Sequence, residues 1–501
     1  MLLTILSYLF SQFSRHENTP PPAGVRIIPC TAVDRFAAHR HVLTPGLVIN
    51  ARLDTKILEE SMSRLIEHKF PRAGARLAFR NGVYEFQIPE TFDAKTPPAV
   101  FTVDEHAELY DRSGRPQIPS TLNGSQPSIH PVPKLDEFLR SKTCPKTEAE
   151  FLKPNVPMLH VHFSVFHDLT FIGVTAPHMG FDLLGFAALL SAWTRVINGD
   201  DFDAIPGMEW DAQPFAHYVP APGSRPVTPT RTSLRGWSDL GWFSQLSFMG
   251  RFVLSAIRDP KEVNYLVRVP KAFLNEAKQN IMEELKTQGS REYVGSSDVL
   301  LAWWYKTAYS CRTPTDHTPV HLHFASSLRS RSVFAQDAPL AHPYINNAVS
   351  YLAIPPIPLS AFLTESLGEL ALRMRRAIIA YNADAVSLRA DLRWLFEGSN
   401  ATKMMFPCPP GAEFAFTTNW RDGKLGALDF SGAVVSESKS EAVAGVVFVH
   451  TVSSSDKALP LRGSGGVMME NEEVVWMGQV RGLKDWEMIR KSGAIAFAQD
   501  I

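Results

Sequence analysis

His178 and Asp182 stand four residues apart, where an apolar run, Phe171 to Ala176, gives way to a second one, Leu183 to Val196. A neutral imidazole, with an ordinary pKa near ~6.5, can take a proton around pH 7. That suits a step in which a hydroxyl attacks an acyl carbon and loses its proton as it does so. Such a transfer also needs a donor about 2.7–3.1 Å from the oxyanion of the tetrahedral intermediate. Read from the residues alone, an acid close to a base is an orienting partner of the triad kind. Pro177 and Gly180 bracket the turn and set its backbone angles.

The elements that must position this pair run from Val156 to Gly185. Leu159, Val161, Phe163 and Val165 alternate with His160, His162 and Ser164, the period-2 pattern of a half-buried strand. His167-Asp168 reads as a turn, Phe171 to Ala176 as a more buried strand, and Leu183 to Val196 as a helix. Upstream, Leu53 to Glu67 carries Leu58, Met62 and Leu65 at helical spacing, and Leu77 to Ile88 is a hairpin about an Asn81-Gly82 turn. Residues 111–134 read as loop. Downstream, Trp237 to Ile257 reads as a buried or gating helix pair, because it is apolar yet carries Asp239 and Arg251. Strands are expected over Val263 to Val269, His321 to Ser326, Phe414 to Asn419, Ala444 to Thr451 and Gly466 to Val480. Helices are expected over Lys271 to Lys286, Val299 to Ala308, Ala361 to Leu395 and Leu483 to Arg490. Strands and helices alternate in both halves, so the class is mixed α/β.

His178-x-x-x-Asp182 followed by Gly185 resembles the active-site signature of the BAHD acyltransferases, CoA-dependent enzymes that acylate alcohols and amines. Further stretches resemble that family in its own order. Ser326-Ser327-Leu328-Arg329-Ser330-Arg331 and Tyr344-Ile345-Asn346-Asn347-Ala348-Val349 are similar to its arginine-x-arginine and tyrosine-x-glycine-asparagine segments. Thr417-Thr418-Asn419-Trp420-Arg421 is similar to its threonine and tryptophan segment, in a form that looks fungal. Leu428-Asp429-Phe430-Ser431-Gly432 is a degraded form of its second signature, usually Asp-Phe-Gly-Trp-Gly. The resemblance implies two similar mixed-sheet domains of chloramphenicol-acetyltransferase type with an active-site channel between them. It implies that His178 is the general base and that Asp182 turns away from the imidazole to pair with an arginine, for which Arg329 is the candidate. Thr418 would supply a hydroxyl to the oxyanion and Trp420 would line the channel near the acyl group. Asp429 remains from a structural segment, and Arg331 is a solvated or loop-binding arginine. The implied co-substrate is acyl-CoA, with acetyl the simplest case, and the acceptor is a hydroxyl of a small fungal secondary metabolite. The same fold repurposed for a CoA-independent cyclisation or rearrangement, or a non-catalytic small-molecule binder, are the alternatives.

Composition bounds the rest. At 501 residues the chain exceeds the usual size of one core, and its 31 Phe allow large ones. Boundaries are expected as a tail over 1–24, one domain over 25–211, a proline-rich linker over 212–234 and a second domain over 235–501. A net charge of −1 gives no sign of a polyanion-binding surface, so no nucleic-acid partner is expected. The four cysteines are far apart and form no CxxC pair, which fits a reducing compartment and argues against a zinc site. A cytoplasmic monomer is expected, without a metal and without a stable membrane span. The apolar start, Leu2 to Phe10, has no basic residue before it and is too short to cross a bilayer. His160 with His162, and His321 with His323, read as solvated strand histidines, since two side chains on one strand face lack a third ligand. Arg373, Arg375 and Arg376 read as a solvated helix face.

Overall fold

The computed structural model describes residues 20, 22–36, 39–110, 114–119, 124–221, 236–398, 400–403, 405–435, 443–455 and 462–498. The apolar start and most of the proline-rich linker lie outside them.

Two large mixed sheets carry the molecule. The first has five strands in the order Val446–Ser454, Val42–Ile49, Thr170–Pro177, His160–Val165, Val100–Glu105. Thr170–Pro177 is its middle strand, antiparallel to both neighbours and buried at every position. A strand covered on both faces needs an unbroken apolar run, which Phe171 to Ala176 supplies. The second sheet follows the path Val349–Ala353, Pro319–Ser327, Glu413–Asn419, Ser464–Glu470, Val474–Gly482, Glu262–Pro270, Ser128–Pro131, Ala496–Phe497. A small sheet of Val25–Pro29, Val83–Pro89 and Arg76–Arg80 stands apart from both, with Asn81 and Gly82 in the left-handed region at the hairpin tip.

The two sheets exchange strands. Val446–Ser454, late in the chain, closes the first sheet against Val42–Ile49, and Ser128–Pro131, early in the chain, pairs with Glu262–Pro270 in the second. The loop expected over 111–134 therefore contains a strand. Its four residues are too few for periodicity to register.

The Leu183–Ile197 helix starts at the end of the middle strand and is buried along most of its length, against the Thr55–Lys69 helix. Asp182 caps it, accepting a hydrogen bond from the Gly185 N–H at 2.8 Å. Gly185 cannot be larger, because a Cβ there would overlap the Ile345 carbonyl. No helix among the described residues is long and apolar enough to cross a membrane.

Several surface expectations change. Trp237 to Ile257 is not a helix pair: Trp237 is buried in the core, and one helix, Trp242–Arg258, lies on the surface with none of its residues buried. Its hydrophobicity is confined to faces, and the apolar total concealed that. Of the Leu367–Ala383 arginines, Arg373 and Arg376 stand on the exposed face as expected, whereas Arg375 is turned inward, and all three are ion-paired. Arg373 pairs with Glu365, Arg376 with Glu292, and Arg375 with the buried Asp298. The strand histidines are not solvated. His162 is buried, with Nδ1 at 2.8 Å from the Thr102 hydroxyl. His323 is buried, stacked on Phe416, with Nε2 at 2.8 Å from the Pro407 carbonyl. His160 packs edge-on against Phe151 and is half-buried. The strand His160–Val165 is buried at all but its first position, which its alternating sequence does not reveal.

Candidate active site

The buried middle strand delivers His178 at its C-terminal end, and the turn through Gly180 leads to Asp182 at the helix start. His178 is half-buried. Its Nδ1 faces inward with no hydrogen-bond partner, while Nε2 has none and is not buried. Burial lowers its pKa below the ordinary imidazole value, while its own carbonyl and the Asp182 charge act in the opposite direction. The ring is therefore neutral near pH 7, with one nitrogen open.

Asp182 does not touch the imidazole. Its carboxylate accepts from Arg329 Nη1 at 2.9 Å and Nη2 at 2.8 Å, from the Ala348 N–H at 3.0 Å and from Gly185. The Asp182 side chain is 9% exposed and that of Arg329 18%, so water screens this fork little. Arg329 also donates to the carbonyls of Tyr344 and Asn346. The Tyr344–Ala348 segment completes the lock. Asn346 Nδ2 donates to the Gly180 carbonyl at 2.8 Å, and Asn347 Nδ2 to the His178 carbonyl at 2.8 Å. Arg72 holds Asn346 through its Oδ1, and the buried Asp34 holds Asn347.

Thr418 lies on the Glu413–Asn419 strand. Neighbouring Thr417 points the other way, to the Tyr305 hydroxyl at 2.6 Å, so Thr418 shares a face with Phe416. That face looks toward the histidine through ring contacts: Phe416 on Trp237, Trp237 on Phe36, Phe36 on His39, and His39 stacked on His178 with centroids 4.3 Å apart. Among the described residues nothing hydrogen-bonds the Thr418 hydroxyl, and a Cβ at the facing Gly466 would collide with it. Trp420 follows at the strand end, partly buried against the core, its N–H donating to Val467. Arg331 reaches Ser326 and lies over the Tyr381 ring.

Asp429 is elsewhere. Its Oδ1 accepts from the N–H and hydroxyl of Ser431, and Phe430 packs on Trp193. Asn198 bonds both the Asp429 carbonyl and the Gly432 N–H. This segment closes the far end of the helix that Asp182 begins, about 22 Å away at 1.5 Å per residue.

Sequence reasoning missed His39 and His41. The His39 ring is buried and stacked, with Nδ1 at 2.9 Å from the Val33 carbonyl; burial first, then repulsion from His178 and His41, put its pKa well below the usual value. His41 meets His178 edge-on at 4.8 Å, and its carbonyl accepts from the His178 N–H. No motif marks either residue; their only signal is the strand that pairs Val42 with Pro177. Asp34 and Arg72 were missed for the same reason.

No protein-family model matches the chain. It is 28% identical over 455 residues to Acetyltransferase adrJ of Penicillium roqueforti, covering 85% of this chain and 86% of that protein. It is 26% identical over 393 residues to O-acyltransferase pboC of Aspergillus ustus, covering 76% and 79%. Transcriptional regulator calD of Penicillium decumbens is also similar, at 26% over 447 residues, covering 86% of each chain. Among solved structures, F. graminearum TRI101 complexed with ethyl coenzyme A superposes with a TM-score of 0.62 at 15% identity, over 93% of this chain and 97% of that one. The chain is thus similar to fungal acetyltransferases and O-acyltransferases along most of its length, and it shares the fold of the solved TRI101 structure.

Proposed function

We propose that the protein transfers an acyl group, acetyl in the simplest case, from acyl-CoA to a hydroxyl of a small secondary metabolite, with His178 as general base. The observation that carries this reading is the geometry of His178. Its Nε2 is open while the loop behind it is tied to Asn346, Asn347 and Arg329. The parts 25–211 and 235–501 act as the two lobes around that opening.

In this mechanism Nε2 removes the hydroxyl proton as the oxygen attacks the thioester carbon. Thr418 donates to the resulting oxyanion. The carbon–sulfur bond then breaks, the leaving thiolate takes the proton back from the imidazolium, and the products are the ester and free CoA. Trp420 bounds the acyl end. Acetyltransferase adrJ and the TRI101 complex with ethyl coenzyme A support the choice of donor.

The test is incubation of the protein with acetyl-CoA and a panel of hydroxylated terpenoid and polyketide acceptors. Ester and free thiol are followed together. Equal amounts of both, lost in His178→Ala, support the proposal. Ester formation that survives His178→Ala overturns the base assignment. Conversion of an acceptor without thiol release overturns the use of CoA and favours a cyclisation or rearrangement.

A further inference from the structure

We propose that the Trp242–Arg258 helix docks the protein on an anionic lipid surface. Its sequence, WFSQLSFMGRFVLSAIR, has no acidic residue. Trp242 is 67% exposed, Phe243 84%, Leu246 51%, Leu254 44% and Ile257 69%. At about 100° per residue these five fall within an arc of about 120°, and Arg251 and Arg258 border one edge of it. The opposite face is anchored: Phe248 packs on Phe406 and Phe414 at the end of the second sheet. The outward stripe is thus held in place with nothing of the described chain over it.

Charge selects the occupant. Arg251, Arg258 and nearby Lys261 are exposed, and no carboxylate pairs with them among the described residues. The acids around the helix are already engaged: Asp239 with Lys403, Glu262 with Arg462, and Asp259 with the Lys484 N–H. An apolar face carrying Trp, Phe and Leu beside unpaired cations is the composition of a helix that lies in the plane of a membrane interface. Seventeen residues span only about 25 Å, less than a bilayer core of about 30 Å, so the helix lies flat and does not cross. The surface lies outside the constellation of His178, Asp182 and Arg329, so binding and turnover can be separated.

The experiment is flotation of the full chain with phosphatidylcholine vesicles, with and without phosphatidylserine, at low and high salt. The wild type is expected to float with phosphatidylserine vesicles and to release as salt rises. Phe243→Glu with Ile257→Glu should lower partitioning by more than about tenfold, since one buried aromatic already contributes about that factor. Arg251→Ala with Arg258→Ala should remove the preference for anionic vesicles. Melting temperature and activity on a water-soluble acceptor serve as controls and should not change, because these side chains face outward. Failure of the wild type to float, or equal flotation of the glutamate variant, overturns the proposal. So does a wild-type dimer that the glutamate variant converts to monomer without any vesicle binding, since a second copy would then be the occupant.

Discussion

Asp182→Ala should cost stability as well as turnover. The carboxylate takes two hydrogen bonds from Arg329, one from the Ala348 N–H and one from the Gly185 N–H. Removing one partner of a buried ion pair costs roughly 3–5 kcal/mol, because the other charge stays behind without compensation. Loss of the helix cap is part of that figure and alone contributes about 1 kcal/mol. At about 2.1 cal/mol/K per residue, 501 residues melting together have an unfolding entropy of about 1 kcal/mol/K. The melting temperature should therefore fall by about 3–5 °C, measured by calorimetry or near-UV circular dichroism. Arg329→Ala should match it, and the double variant should be hardly worse than either single one, because both remove the same contact. Asp182→Asn keeps an acceptor for the Gly185 N–H and should melt between the two. An inactive Asp182→Ala enzyme that melts like the wild type would refute this reasoning and return Asp182 to the orienting role of a triad acid.

Other perturbations separate chemistry from scaffold. His178→Ala should lower kcat/KM by about 10²–10⁴-fold with little change in melting temperature, since the ring makes no hydrogen bond. Because burial lowers the His178 pKa, the acid limb of the kcat/KM profile should lie below the ordinary imidazole range. Thr418→Val should cost about 10²-fold in kcat and leave the fold intact, as expected for a lost oxyanion donor. Stability should fall as pH drops from about 6.5 toward 4. Burial lowers His130, His160 and His323 to about 4 and His39 well below its usual value, so the unfolded chain takes up protons first in that window. Above about 6.5 these groups contribute no pH dependence, and His39→Phe should recover part of the acid loss in a melting series.

Local pattern carried much of this fold and little of its closure. The run Phe171 to Ala176 marks a covered strand because both faces of that strand are packed, and Leu183 to Val196 marks a helix because Asp182 can cap it. By contrast, 147 positions separate Asp182 from Arg329, and no periodicity links them; only the resemblance of the two segments does. His39 shows the limit more sharply. It reaches His178 because Val42–Ile49 pairs with Thr170–Pro177, a long-range register that one strand cannot encode. The strand Ser128–Pro131 escaped because four residues show no periodicity, and the Trp242–Arg258 helix was misread because apolar content is not burial.

Both ends of the Leu183–Ile197 helix carry a signature, and the two ends have unequal consequences. At its start, successive carbonyls of the catalytic turn, from His178 through Gly180, are held by Asn346 and Asn347. The position of the base is therefore set by a segment that enters the fold much later, not by its neighbour in sequence. At the helix end, Asp429-Phe430-Ser431-Gly432 packs against Trp193 and Asn198, and it bonds neither His178 nor the turn around it. Ser431 caps its own turn there through Asp429, a local bond that needs no tryptophan next to it. The weakened second signature thus bears on how the helix C-terminus is packed, whereas a change at Asn346 or Asn347 bears directly on whether His178 faces an acceptor.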